Sequence, residues 1–311
     1  MEKIKTVFVV GPTACGKTGL GIEIANKFDG EIISADSMQI YKGMSIASAS
    51  PTKEERSKAE HHLVEFVEYG DSYTVADYVS AAREKILEIN GKGKLPIVVG
   101  GTGLYINSLA DNIEFSKEQT DFKLRERLEQ EMEEKGGEKM LEILSEIDGE
   151  TARTLHPNNK RRILRALEIY YLTGVTKSKQ DIISKQNESF IKPVMIGITY
   201  RNRELLYKKI EKRIDLMIEN GLVDEARTAY NKFGGSFTGA VQAIGHKELF
   251  DYFNGESTLE ESVEVLKRST RRYAKRQMTW FSKDKRIQWI YADETPDVFS
   301  QAREILREEL S

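Results

Sequence analysis

Cysteine is almost absent: the 311 residues hold one, Cys15. No intramolecular disulfide can form, so the chain must rely on a packed core, and a reducing, cytoplasmic setting is expected. Histidine is scarce, with four residues. The adjacent pair His61-His62 has no carboxylate or cysteine at the usual ligand spacing. A packing or hydrogen-bonding pair is therefore expected rather than a zinc site. No apolar run approaches the roughly 18 residues that span a bilayer, so no membrane partner is expected. No small-residue cleavage site follows the first apolar run, so no secretory signal is expected either. Excess positive charge is lacking too, the net being −3. That total argues against nucleic acid, but placement matters more than the total. Neither internal repeats nor low-complexity segments occur.

What is present alternates. Lys5 to Val10 is an apolar, β-branched run of strand length, and Thr18 to Phe28 repeats apolar residues at helical spacing. Glu31 to Ala35 reads as a second strand, Tyr73 to Asn90 as a helix and Leu95 to Val99 as a third strand. Such alternation predicts a parallel sheet covered on both faces. From Ser116 to Gln186 the chain turns polar and helical, broken at Gly136-Gly137, Gly149 and Gly174. Lys192 to Tyr200 returns to strand character, and helices are expected from there to the end. The predicted organisation is a catalytic core over 1–114 and 191–311, with a helical insertion over 115–190.

Gly11-Pro12-Thr13-Ala14-Cys15-Gly16-Lys17-Thr18 matches the phosphate-loop pattern, and it lies between a strand and a helix as that pattern requires. Glycines let backbone N–H groups turn toward phosphate oxygens, and the helix N-terminus favours negative charge. Lys17 adds a cation, and the Thr18 hydroxyl can ligate Mg²⁺. The fold expected is α/β, a P-loop NTPase-like parallel sheet flanked by helices, with a small all-helical insertion. Cys15 has no identifiable base beside it and is expected to be only a small loop residue. Hydrolytic P-loop enzymes need a second acidic site at a strand end, yet the third strand ends in Gly100-Gly101-Thr102-Gly103. That counts against nucleotide hydrolysis, although ATP on the loop stays open.

Asp36 follows the second strand and Thr102 the third, so both should face the crevice at the carboxyl ends of the strands. The loop, Ala35-Asp-Ser-Met-Gln-Ile-Tyr-Lys42 and Gly100-Gly-Thr-Gly-Leu-Tyr105 together closely resemble the tRNA dimethylallyltransferase family. Further matches are His61-His62-Leu63, Arg165 to Glu168, Gly221 to Arg227, Gln242 to Gly245 and Arg271 to Phe281. They run in order through nearly the whole chain, which makes the set far more specific than the loop alone. The resemblance implies transfer of a dimethylallyl group from dimethylallyl diphosphate to the N6 amine of the adenosine 3′-adjacent to the anticodon. It further implies diphosphate on Gly11 to Thr18 with Mg²⁺, and an adenine flipped out of the anticodon stem-loop. By the same resemblance Asp36 is the general base, Thr102 a second adenine contact, and Arg213 a diphosphate ligand. Lys17 is expected to neutralise the leaving group, and Ser37, Met38 and Gln39 to contact tRNA.

Arg268, Arg271, Arg272, Lys275 and Arg276 recur at helical spacing with no acidic residue from Arg268 through Lys283. Arg161, Arg162 and Arg165 form a second basic patch, matching the RNA-contacting segment of the family. Phosphate contacts of this kind supply affinity without sequence specificity. A monomer is expected. A small-molecule kinase or nucleotide-prenylating enzyme would leave the basic stripe and the insertion without a purpose. A non-catalytic RNA-binding protein would leave the phosphate loop unexplained.

Overall fold

The structure, a computed structural model, describes residues 3–115, 121–184, 188–233, 240 and 243–310. The chain divides into two compact units, Met1–Ala110 with Phe190–Ser311, and Asp111–Ser189. In the first unit β1 (Ile4–Val10) leads into α1 (Lys17–Phe28), β2 (Gly30–Ser34), α2 (Lys53–Lys58), β3 (His61–His62), α3 (Val75–Gly91), β4 (Leu95–Gly100) and α4 (Gly103–Ala110). The second unit holds α5 (Phe122–Ile147), α6 (Gly149–Arg153), α7 (Lys160–Thr173) and α8 (Lys177–Ile183). The first then resumes with β5 (Ile191–Thr199), α9 (Arg203–Glu219), α10 (Leu222–Phe233), α11 (Phe250–Phe253), α12 (Leu259–Phe281), β6 (Ile287–Tyr291) and α13 (Val298–Leu310).

The strands form one parallel sheet in the order β3-β2-β4-β1-β5-β6. β1 is central, and Val7, Phe8, Val9 and Val10 are fully buried. A strand covered on both faces must be apolar throughout, which is why it reads as a continuous run. One face packs Val7, Val9, Ile97 and Ile196 against Leu20 and Ile24 of α1 and Leu306 of α13. A second cluster, at the carboxyl end of β5, packs Ile198 against Leu206, Ile210 and Ile214 of α9 and Leu266 of α12. β6 corrects the expectation that only helices follow β5. Its alternation Ile287, Trp289, Tyr291 is a weak signal beside the long basic helix, and pairing with β5 is what makes it a strand.

Among its described residues the second unit holds four helices and no strand. Leu128, Met132, Met140 and Leu144 of α5 pack on Ile163, Ala166 and Leu167 of α7. Gly136 takes φ 76° and kinks α5, and Gly174 caps α7 in the left-handed region, so two of the expected glycine breaks are backbone turns.

Candidate functional site

β1 ends at Val10 and the phosphate loop turns over the sheet edge on unusual backbone. Gly11 has φ 145° and a Cβ there would come within 2.2 Å of the Ile198 carbonyl oxygen. Gly16 sits at φ 99° as the residue before α1, so a side chain is strained at both positions. Ala14 also takes positive φ, 63°. Lys17 Nζ donates to the Pro12 carbonyl at 2.6 Å and lies 3.9 Å from Cys15 Sγ. Cys15 is buried, and burial pushes its thiol up despite the Lys17 charge. A raised thiol pKa disfavours the thiolate.

The ends of two strands lie beside the loop. After β2, Asp36 Oδ1 accepts the Met38 N–H at 2.9 Å, which shapes the turn and leaves its second oxygen for other partners. After β4, Thr102 Oγ1 accepts the Ser37 N–H at 3.0 Å and donates to Ser37 Oγ at 3.3 Å. A Cβ at Gly100 would lie 2.2 Å from the Ala35 carbonyl, and one at Gly101 2.3 Å from the Gln277 amide. The glycine run that replaces a second acidic site is thus a matter of space. Gln277 of α12 accepts the Thr13 N–H at 2.9 Å and donates to the Gly101 carbonyl at 2.9 Å, tying the phosphate loop to the β4 end. Tyr273, one turn earlier, hydrogen-bonds Thr102 and Gln277; burial, with Asp36 nearby, pushes its hydroxyl up.

Two cavities open here. One, about 240 Å³, is polar, lined by Lys17, Thr18, Ser34, Gln39, Glu55 and His61 among others. The second, about 300 Å³, is mostly apolar, with Met38, Ile210, Ile214, Met217, Ile244 and Leu266 in its wall. Thr13, Ala14, Asp36, Ser48, Arg213 and Tyr273 line both. Arg213 Nη1 donates to Thr13 Oγ1 at 3.4 Å; burial pulls its pKa down, and Asp36 opposes that pull.

Gln39 serves the frame of the polar cavity. Its amide accepts from Ser34 Oγ at 2.8 Å and donates to the Ala49 carbonyl at 3.0 Å, so it holds the wall. The Glu225 carboxylate, missed as a site residue although its motif was noted, accepts the Ile46 and Ala47 N–H groups at 2.8 and 2.9 Å. Behind it the buried His246 bridges Glu225 at 3.1 Å and the Tyr69 hydroxyl at 2.9 Å. These groups brace the segment after Tyr41 that lines both cavities. Gln242, which opens the Gln242 to Gly245 match, lies outside the described residues. Tyr105 belongs to the core, stacked on Tyr78 at 4.0 Å.

The histidine pair does have carboxylate neighbours. His62 Nε2 lies 2.7 Å from Glu31, which reaches it across the β2–β3 pair, and 3.9 Å from Glu60, two residues back in the chain. Lys94 and Lys92 also bind Glu31, at 2.9 and 3.3 Å, so its oxygens are already engaged with cations.

The basic residues divide. Arg268, Arg272, Lys275 and Arg276 are exposed on α12, but Arg271 is only partly exposed and pairs with Glu211 of α9. The absence of acidic residues along α12 therefore did not leave Arg271 unpaired; the partner comes from another helix. In the other unit Arg161, Arg162 and Arg165 are exposed on α7, and Arg165 reaches the buried Glu168 at 2.8 Å.

The IPP transferase family model matches residues 39–284, and an isopentenyl transferase model matches residues 4–67. The tRNA dimethylallyltransferase of Acetivibrio thermocellus is 50% identical over 286 residues, 92% of this chain and 91% of that protein. That of Caldanaerobacter subterraneus is 46% identical over 297 residues, 94% and 93% of the two chains. Among solved structures, the tRNA isopentenylpyrophosphate transferase of Bacillus halodurans is 40% identical, with TM-score 0.71 over 98% of both chains. A eukaryotic dimethylallyltransferase acting on tRNA superposes with TM-score 0.83 at 29% identity, over 98% of this chain and 79% of that one. The chain belongs to the IPP transferase family, the tRNA dimethylallyltransferases.

Proposed function

We propose that this chain transfers a dimethylallyl group from dimethylallyl diphosphate to the N6 amine of the adenosine 3′-adjacent to the anticodon of tRNA. The observation that carries the reading is the pair of cavities, one polar and one apolar, that share Asp36 and Arg213. An allylic diphosphate is itself polar at one end and apolar at the other. Its scissile C–O bond belongs where the two linings meet, and that is where the candidate base stands.

The chemistry then follows from the residues. The N6 lone pair forms the new bond to C1 of the allyl group as the C1–O bond breaks, and its electrons leave with diphosphate. The free oxygen of Asp36 takes the N6 proton, which relieves positive charge on a weakly nucleophilic amine. Lys17, Arg213 and the N-terminus of α1 offset the charge that builds on the diphosphate. Mg²⁺ fits the donor set, because Thr18, Ser34 and Ser48 bring hard oxygen ligands to the polar cavity. Thr18 is the residue assigned to hold it, and the ion would supply further charge neutralisation on the leaving group.

The partner is tRNA, through its anticodon stem-loop, with Ser37, Met38 and Thr102 beside the adenine. Lys160, Arg161 and Arg162 open α7, whose first turn holds no acidic residue and whose dipole is unfavourable to cations there. A phosphate backbone would relieve that clash. Among the described residues no helix is long and apolar enough to cross a membrane, and a cytoplasmic monomer is proposed. Incubation with dimethylallyl diphosphate and tRNA, followed by mass analysis of the nucleosides, tests the reading. Added mass on adenosine is expected; prenylation of AMP alone, or ATP hydrolysis without transfer, would overturn it.

A further inference from the structure

We infer that Trp280 is a stacking platform for a nucleobase of the bound tRNA, a neighbour of the one that enters the cavity. The inference rests on the functional reading above and adds a contact to it. Trp280 lies in the last turn of α12 and stays 39% exposed, although two neighbours hold it in place. Its Nε1–H donates to Asn107 Oδ1 at 3.2 Å. Its pyrrole edge lies on Gly103, where a Cβ would come within 2.3 Å of Cδ1 and 2.5 Å of Nε1. Only glycine leaves room for the ring there. The indole is thus anchored on the residue that follows Thr102, with part of its surface left open to solvent.

The row along α12 supplies the argument for an RNA occupant. Arg272, Arg276 and Trp280 are all exposed and stand four residues apart, so they share one face. Arg276 lines the apolar cavity, whereas Trp280 lines neither cavity. Cations followed by an aromatic on one face are what single-stranded nucleic acid requires: charge for the phosphates and a flat π surface for a base. A ring already fixed by Gly103 and Asn107 loses little side-chain freedom when a base settles on it.

The test uses the whole protein and an anticodon stem-loop RNA. The chain has two tryptophans, and the second, Trp289, packs on Gly197 within the sheet. Addition of the RNA should quench tryptophan fluorescence, and Trp280→Phe should remove most of that quenching while it retains a stacking ring and most of the affinity. Trp280→Leu should lower RNA affinity by roughly 5- to 100-fold, the scale of one lost base stack. Diphosphate binding should be unchanged in both variants. The slope of log affinity against log salt should match that of the unaltered protein, because no phosphate contact is lost. Unchanged RNA affinity in Trp280→Leu, a flatter salt slope, or quenching that persists in Trp280→Phe would overturn the inference. Failure of the unaltered protein to bind the RNA would instead remove the functional reading, and this contact with it.

Discussion

Asp36 holds the Met38 N–H with one oxygen, so replacement by alanine would disturb the turn as well as the chemistry. Asp36→Asn keeps an acceptor for that N–H and removes only the basicity. Turnover should fall by about 10²- to 10⁴-fold, the usual range for a lost general base, with dimethylallyl diphosphate affinity nearly kept. Single-turnover rates and equilibrium binding, measured side by side, check this; turnover within a few-fold of normal would take Asp36 out of the reaction. Thr102→Ala should lose less, because its hydroxyl orients Ser37 and Tyr273. Lys17→Ala and Thr18→Ala should weaken the diphosphate substrate and, for Thr18, the Mg²⁺ response, yet leave tRNA affinity almost untouched. Titration with each substrate separately distinguishes the two effects. Loss of tRNA binding with the diphosphate spared would reverse the assignment of the two ends of the site.

Helix α12 is where the structure alters an expectation most. Its acidic start, Glu260 and Glu261, suits the helix dipole, but its last turn holds no basic residue, so the stripe from Arg268 to Arg276 does not serve the helix in that way. Arg271 pairs with Glu211, whereas Arg272 and Lys275 face solvent. Neutralising Arg272 and Lys275 together should flatten the salt dependence of tRNA binding by about one to two units of log–log slope. Arg271→Gln should leave that slope alone and cost at most about 1 kcal/mol of stability, as partly exposed ion pairs do. A flattened slope in Arg271→Gln would show that the ion pair yields to RNA.

The same helix shows what could be read in advance. The strands β1, β2, β4 and β5, the phosphate loop, and the positions of Asp36 and Thr102 followed from apolar runs and from where they stop. Those signals are local. Arg271–Glu211, Gln277 with Thr13, and Glu225 with Ile46 join residues 60, 264 and 179 positions apart. No spacing rule reaches that far, and a polar side chain that braces a distant loop looks like any surface residue. The short strand β6 was lost for a related reason: its pairing, more than its composition, makes it a strand.

At the scale of the molecule, the Glu31 cluster links the sheet to pH. Burial alone would raise the Glu31 carboxyl, but Lys94, His62 and Lys92 outweigh it and hold it down to about 2. A depressed acid contributes stability that is full above its unfolded pKa, near 4.5, and is lost as pH falls toward 2. Glu31→Gln should therefore melt below the unaltered protein at neutral pH, and the gap should close as both are acidified through that window. A gap that stays constant with pH would mean that packing, and not charge, sets the cost. In the second unit, neutralising Arg161 and Arg162 should weaken cognate and non-cognate tRNA alike, since phosphates carry no sequence.

Gln277 has a thermodynamic consequence. Its amide touches the phosphate loop at Thr13 and the β4 end at Gly101, while the helix that carries it presents Arg272, Arg276 and Trp280 on another face. A displacement of the loop by one substrate is therefore felt along the rod that meets the other. Linkage then imposes symmetry: whatever factor dimethylallyl diphosphate applies to tRNA affinity, tRNA must apply to dimethylallyl diphosphate. Gln277→Ala should shrink both factors together, toward independent binding, even where each affinity measured alone hardly moves.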